Sequence, residues 1–231
     1  MRGLALWVKR LLLGCLGLLL LYQFWLFGWV LWWNWANPEN TRFMNIRLDE
    51  LRVRDPQAQL KKQWIAYEKV SNNLKRAIIA AEDAKFVDHE GFDWEGIQHA
   101  LERNQKKGRV VAGGSTISQQ LAKNLFLTPA KTPWRKAEEA IITLMLETIW
   151  SKQRIFEVYL NVIEWGNGVF GAEAAARHYY GVSATQLAPE QAARLAGMVP
   201  SPRFYDRNRS APGLARKTAI ILARMPAADV P

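Results

Sequence analysis

The sequence predicts a mainly α-helical domain that follows a single transmembrane helix. Two observations support this fold class: a long uncharged apolar stretch near the N-terminus, and downstream segments in which apolar residues recur at helical spacing behind capping residues. No stretch alternates apolar and polar residues convincingly over the length of a strand. The 231 residues are enough for one compact domain and one short additional element.

The transmembrane helix is predicted over residues 11–33, which are 23 residues without a charge and can span a hydrocarbon core of roughly 30 Å. This stretch is longer than the apolar region of a signal peptide and ends in a cluster of tryptophans instead of a small-residue cleavage site, so we expect an uncleaved anchor. The positive-inside rule places residues 1–10 in the cytoplasm and the rest of the chain outside. The basic residues that precede the span are Arg2, Lys9 and Arg10.

The part of the chain after the span is basic. It contains 28 of the 31 Lys and Arg residues and all 21 Asp and Glu residues, which leaves a net charge of +7. A basic domain next to a membrane favours anionic headgroups or pyrophosphates as partners, and an extracytoplasmic location argues against nucleic acid. The only cysteine, Cys15, lies inside the predicted span, so the outer domain has no disulfide.

The outer part is expected to begin with a connecting segment, residues 34–63, of short irregular structure around Pro38 and Pro56. Residues 64–231 are expected to form the catalytic domain.

The first chemically informative segment starts at Glu82. A helix capped by Asn72 or Asn73 is predicted to lead into it, and Glu82 follows Ile78 by four residues, on the face that should be buried. Burial should raise the pKa of this carboxyl toward neutrality, where a general acid or base works best. The alternative is a structural ion pair with Lys85 or with an arginine of a neighbouring helix.

A second segment places Gly113, Gly114 and Ser115 ahead of an amphipathic helix. Free amides at such a helix N-terminus bind anions, and Lys123 on the polar side of the helix could reach a phosphate there. A common turn and cap would explain the same residues.

Further helices follow in the rest of the chain. Thr132 and Pro133 predict a helix start as N-cap and first helical residue, and Ser151 predicts the cap of a helix over residues 152–162. Within the first of these helices Arg135 and Glu139 share a face, which a surface ion pair would also explain. Tyr159 and Asn161 are explained by packing and capping alone. The remaining helices are predicted over residues 172–179, 189–198 and 211–225.

Five segments of the outer domain form an ordered set: EDAKFVDHEGFD (82–93), GGSTISQQLAKN (113–124), RKAEE (135–139), KQRIFEVYLN (152–161) and, less closely, KTAIILARM (217–225). They resemble, in order and spacing, the five signature motifs of peptidoglycan glycosyltransferases, the membrane-anchored enzymes that polymerise lipid II. The segment EWGNGVFGAEAAA (164–176) looks like the monofunctional members from Gram-negative bacteria.

The resemblance implies a lysozyme-like helical head, a small membrane-proximal jaw and a cleft between them. It implies that Glu82 is the catalytic base of an inverting transfer that forms β-1,4 bonds from a lipid-pyrophosphate donor. Glu139 matches the second catalytic carboxylate, which would orient Arg135, Lys123 or a divalent cation. The substrate-binding residues carried over are Asp83, Phe86, His89, Ser115, Thr116, Gln120, Lys123, Lys131 and Arg135.

No dedicated cofactor is expected, and the resemblance leaves room for Mg²⁺ or Mn²⁺ at the pyrophosphate. The expected partners are lipid II, the undecaprenyl-pyrophosphate-linked glycan and the inner membrane, with cell-division or penicillin-binding proteins as candidates and no nucleic acid. The catalytic domain would then be periplasmic. The fifth motif usually opens with Arg, and Lys217 holds that place here.

No Ser-x-x-Lys or Lys-Thr-Gly motif occurs, so the transpeptidase equipment of penicillin-binding proteins is absent and a monofunctional enzyme is expected. Two alternatives remain. A lysozyme-like hydrolase would need two carboxyls that flank one glycosidic bond and no pyrophosphate site. A non-catalytic membrane-anchored scaffold would not depend on Glu82.

Overall fold

The computed structural model describes residues 2–109 and 113–231, with side chains from residue 6 onward. The chain forms two compact units, Met1–Asn37 and Pro38–Pro231. It is mostly helical, with 67% helix and 3% strand, which confirms the mainly α fold class.

The first unit contains helix α1 (Arg2–Trp33). Its segment Leu6–Trp33 has 28 residues and a mean hydropathy of 2.0, so it is long and apolar enough to cross a membrane. The helix therefore extends further toward the N-terminus than the predicted span, and it is consistent with a single-pass anchor.

The second unit carries the other helices and the strands. In chain order the helices are α2 (Arg42–Arg52), α3 (Asn72–Glu82), α4 (Trp94–Lys107), α5 (Ile117–Phe126), α6 (Pro133–Ile149), α7 (Lys152–Val162), α8 (Ala172–Tyr180), α9 (Pro189–Met198), α10 (Pro202–Arg207) and α11 (Pro212–Arg224). Three short strands, β1 (Lys61–Lys62), β2 (Glu164–Gly166) and β3 (Val169–Phe170), form a sheet of order β1-β3-β2, in which β3 pairs parallel with β1 and antiparallel with β2.

Helix α2 corrects the expectation of irregular structure over residues 34–63. It begins after Thr41, whose hydroxyl oxygen accepts a hydrogen bond of 3.1 Å from the Met44 amide. The two prolines that suggested a loop, Pro38 and Pro56, flank this helix and do not interrupt it.

Most of the predicted helix starts are confirmed. The side chain of Thr132 caps α6 with Pro133 as its first residue, and Ser151 caps α7. The cap of α3 was assigned wrongly: Ser71 holds that position, and its hydroxyl accepts from the Leu74 amide at 3.2 Å. Asn72 is instead the first helical residue.

The core of the second unit contains two helical groups: α3 packs against α9 and α11, and α5 packs against α6 and α7. Fully buried side chains in these two groups include Ile78 of α3, Leu121 of α5 and Phe156 of α7. Hydrogen bonds then join the C-terminal end of α3 to the first turns of α5, where the candidate catalytic residues lie.

Candidate active site

Glu82 is the last residue of α3, and it is partly exposed. Its Oε2 accepts a hydrogen bond of 2.8 Å from Nε2 of Gln120. Burial raises the pKa of Glu82, as its helix face predicts, while the bond from Gln120 and the positive charges of Lys217 and Lys123 act in the opposite direction. The proposed ion pair with Lys85 is wrong, since Lys85 Nζ lies 2.5 Å from an oxygen of the exposed Glu95.

Gln120 is held on its other side by Tyr159. The Tyr159 hydroxyl donates a hydrogen bond of 3.0 Å to Gln120 Oε1. The tyrosine is fully buried on α7, and burial raises its pKa well above the ordinary value, so the hydroxyl keeps its proton. Packing alone therefore does not account for Tyr159, because its polar end belongs to the Glu82 site.

Gln120 also lines a cleft of about 1300 Å³ in the second unit. Among the described residues that line this cleft, seven are basic and three are acidic, so its walls favour an anionic ligand. Four of the predicted site residues line the cleft: Gln120, Lys123, Lys131 and Arg135.

Glu139 organises the cations at one wall of the cleft. Its side chain is only 4% exposed, and its two oxygens contact Arg135, at 2.5 Å, and Lys136. Lys136 also donates to the hydroxyl of the exposed Ser115 at 3.3 Å. Glu139 thus orients Arg135, as the resemblance implies, but the contact with Lys136 was not predicted.

Lys123 makes no hydrogen bond or ion pair with Glu139, Arg135 or Lys136. Its ammonium has no hydrogen-bond or ion-pair partner in the part of the chain that the structure describes, and burial lowers its pKa, against the opposing charges of Glu139 and Glu82. A half-buried cation without a partner gains most from an anionic ligand.

The N-terminal end of α5 differs from the anion site expected there. The Ile117 amide donates a hydrogen bond of 3.0 Å to Oδ2 of the buried Asp83. Thr116 and Gln119 form a capping box, and the Thr116 hydroxyl donates to the carbonyl oxygen of Gly91 at 2.7 Å. The protein's own carboxylate and cap therefore bind amides of this terminus. The side chain of Thr116 is buried, and its assignment to substrate binding stays a prediction.

Phe86 and His89 also lie behind the cleft wall. Phe86 is fully buried against Phe156, with ring centroids 5.6 Å apart. His89 Nε2 lies 3.0 Å from Asp83 Oδ1, and its Nδ1 accepts from the Gly91 amide at 3.1 Å. Gly91 has φ +88°, and a Cβ there would lie 2.7 Å from Thr143 Cγ2, so only glycine fits. These residues fix the loop after Glu82. The side chain of Phe86 is buried, and its assignment to the substrate site stays a prediction.

Other residues near the site were not predicted from the sequence. Lys217 was not assigned to the site, yet its charge acts on Glu82. Arg47 of α2 donates to the buried Glu164 in the cleft at 3.2 Å, and burial raises the pKa of Glu164. No local sequence pattern could have revealed the Arg47–Glu164 pair, whose members are far apart in the chain. Lys136, in contrast, precedes Glu139 by three residues, so helical spacing could have identified it as a second partner of Glu139.

A resident metal site is not formed by the described part of the chain, which contains no group of three or more His, Cys, Asp or Glu side chains placed to hold an ion. Glu139, the carboxylate in contact with the cleft residue Arg135, is already bound by Arg135 and Lys136.

Comparison with known proteins agrees with the motifs. The family model described as Transglycosylase matches residues 49–226. A biosynthetic peptidoglycan transglycosylase from Dechloromonas aromatica is 78% identical over 231 residues, the whole of both chains. Proteins of the same name from Methylobacillus flagellatus and Nitrosospira multiformis are 64% identical over 222 residues (96% of this chain and 97% of the relative) and 61% identical over 225 residues (97% and 98%). Since these matches cover most or all of the sequence, the chain belongs to the transglycosylase family.

Proposed function

We propose that this peptidoglycan transglycosylase polymerises lipid II into linear glycan strands. The observation that carries the proposal is the position of Glu82, a carboxyl with a raised pKa, behind Gln120 at a cleft with a cationic wall. A carboxyl base with a raised pKa beside a cationic surface suits the activation of a hydroxyl toward a pyrophosphate donor.

Glu82 acts as the general base of this reaction. Its carboxylate takes the proton from the 4-hydroxyl of the acceptor GlcNAc as that oxygen attacks C1 of the donor MurNAc. The bond between C1 and the pyrophosphate oxygen breaks with its electron pair, and undecaprenyl pyrophosphate leaves from the opposite face. The α-linked donor therefore yields a β-1,4 bond by inversion.

The cations of the cleft stabilise the leaving pyrophosphate. This group carries its charge already, so it needs preorganised positive charge and no proton. Lys123, Lys131 and Arg135 supply the charge. Lys123 is the strongest candidate, because its half-buried ammonium has no partner among the described residues, whereas Lys131 is exposed and Arg135 already contacts Glu139. Glu139 is a positioning residue in this scheme, because it holds Arg135 by a direct contact.

Ser115 and Gln120 complete the proposed substrate contacts as groups that orient sugar or phosphate oxygens. Asp83, Phe86, His89 and Thr116 act indirectly, since they fix the loop and the helix terminus that carry Glu82 and Gln120.

No dedicated cofactor is proposed. A divalent cation, Mg²⁺ or Mn²⁺, would be held chiefly by oxygens of the substrate pyrophosphate, since the described residues offer no metal-binding cluster of their own. Turnover measured in EDTA and after the return of each ion tests this requirement.

The anchor is proposed to be single-pass in the inner membrane, with the N-terminus in the cytoplasm and the catalytic unit in the periplasm. The apolar segment of α1 and the basic residues before residue 11 support this topology. Cell-division and penicillin-binding proteins are the proposed protein partners.

The proposal is tested by incubating the purified full-length protein with labelled lipid II and resolving the products by size with and without a muramidase. We expect a polymer that the muramidase degrades. Cleavage of pre-formed glycan without polymer formation would instead indicate a hydrolase, and the absence of both products would indicate a scaffold.

A further inference from the structure

Gln120 bridges two side chains of opposite hydrogen-bonding character. Its NH₂ group donates to Glu82 Oε2 at 2.8 Å, and its carbonyl oxygen accepts from the Tyr159 hydroxyl at 3.0 Å. The tyrosine is fully buried and does not line the cleft, and among the described residues its hydroxyl bonds to the site through this amide alone.

The two ends of an amide are not interchangeable in this setting. A carboxylate can only accept hydrogen bonds, and the buried phenol, which keeps its proton, donates to Gln120 Oε1. A flipped amide would turn its carbonyl oxygen toward the Glu82 carboxylate. The Tyr159 hydroxyl would then face the NH₂ group and lose its acceptor, and an unsatisfied buried donor lowers the stability of the protein.

We infer that Tyr159 is a positioning residue, whose hydroxyl fixes the orientation of the Gln120 amide so that its NH₂ group faces Glu82. The inference rests on the proposed role of Glu82 as the base. It assigns to a core tyrosine a part in the reaction, although this residue does not touch the substrate.

The consequence concerns the ionisation of Glu82. A hydrogen bond donated to the carboxylate stabilises the charged form and lowers its pKa, against the effect of burial. The other groups that act on Glu82 are Lys217, Lys123 and Asp83, and none of them depends on the Tyr159 hydroxyl for its charge. Loss of the hydroxyl should therefore change one contribution to the ionisation of Glu82 and leave the others.

The test compares the pH dependence of kcat/KM for lipid II in the full-length wild type and in Tyr159→Phe, which keeps the ring and removes only the hydroxyl. We expect the acidic limb of the profile to move to higher pH by about half a unit to one unit, because a hydrogen bond to a charged group is worth about one to two pKa units and only part of it is lost. A limb at the wild-type position would overturn the inference.

Tyr180→Phe is the matched control, since Tyr180 is a partly buried tyrosine outside the cleft lining and its charge environment is set by Arg194. It should leave the limb in place. Gln120→Met removes the bridge itself and should displace the limb further than Tyr159→Phe. In the Gln120→Met background Tyr159→Phe should add no displacement, and an additive displacement would show that Tyr159 acts by another route.

Thermal midpoints of all variants separate these effects from unfolding. If Tyr159→Phe does not fold, 3-fluorotyrosine at position 159 keeps the shape and makes the hydroxyl a stronger donor. The limb should then move to lower pH, because the polarised amide donates more strongly to Glu82. An unmoved limb, or one displaced to higher pH, would refute the inference.

Glu82→Gln separates this inference from the proposed function. Loss of turnover in Glu82→Gln together with an unmoved limb in Tyr159→Phe would remove the role of Tyr159 and retain the base. Wild-type turnover in Glu82→Gln would remove the base itself, and the inference with it.

Discussion

Replacement of Asp83 by Asn tests whether this carboxylate supports the fold or contacts the substrate. Its Oδ2 accepts from the Ile117 amide at 3.0 Å, and its Oδ1 lies 3.0 Å from His89 Nε2. An Asn side chain keeps the shape and one acceptor oxygen. It removes the negative charge from the N-terminal end of α5 and places an NH₂ group where a carboxylate oxygen was.

The expected loss follows from these two contacts. A hydrogen bond to a charged group contributes about 1.5–3 kcal/mol, and a carboxylate at a helix N-terminus contributes about 0.3–2 kcal/mol. Because Asn retains one of the contacts, we expect the free energy of unfolding to fall by about 2 kcal/mol. In a chain of this length that lowers the thermal midpoint by roughly 4–8 °C.

The assay is thermal unfolding of the full-length protein in detergent micelles, followed by near-ultraviolet circular dichroism, together with KM for lipid II. Asp88→Asn is the matched control, since Asp88 is an exposed carboxylate of the same loop and should change stability by no more than about 0.5 kcal/mol. A wild-type midpoint with a raised KM in Asp83→Asn would refute the structural role and restore a direct contact with substrate.

Three further outcomes are expected. Lys123→Met should lower kcat/KM for lipid II by about 100-fold or more. Its thermal midpoint should stay at or above that of the wild type, because burial disfavours the charged form of Lys123. A lower midpoint with unchanged kinetics would show that Lys123 is a structural residue. Glu82→Gln should raise the thermal midpoint more near pH 8 than near pH 4. The pKa of Glu82 is raised in the folded state, so its protonated carboxyl contributes stability at low pH that is lost as the pH rises through that pKa. Equal gains in midpoint at both pH values would contradict this expectation. Ser151→Ala should lower the free energy of unfolding in a denaturant titration by about 1 kcal/mol and leave KM unchanged, since the Ser151 hydroxyl accepts from the Arg154 amide at 3.1 Å; an altered KM with unchanged stability would contradict a capping role.

Local sequence signals predicted the helices well, because caps act within one turn. The hydroxyl groups of Ser151 and Thr132 each accept a hydrogen bond from an otherwise unpaired amide at a helix start, and Pro133 has no amide hydrogen there. Such signals can be recognised in a few consecutive residues. The wrong assignment of Asn72 has the same origin: Ser71 and Asn72 are both good caps, and the Ser71 hydroxyl is the one that accepts from the Leu74 amide.

The candidate site was less predictable from the sequence. A local sequence pattern indicates which face of a helix a residue lies on, but it does not indicate which distant residues contact that face. The amides at the N-terminal end of α5 were assigned to a ligand, but the Ile117 amide donates to Asp83, which lies 34 positions earlier in the chain. Phe86 carries a motif position, yet its side chain lies in the core. Lys217 and the Arg47–Glu164 pair depend on helices α11 and α2 and strand β2, which only the fold brings to the site.

The most direct test of the central claim is the rate of polymer formation from labelled lipid II by Glu82→Gln, measured beside Glu139→Gln. Loss of the base should abolish polymer in the Glu82 variant. Loss of the Arg135 contact should leave slower but measurable polymer formation in the Glu139 variant, since the cations remain. Polymer formation by Glu82→Gln at the wild-type rate, with normal thermal stability, would show that Glu82 is not the base.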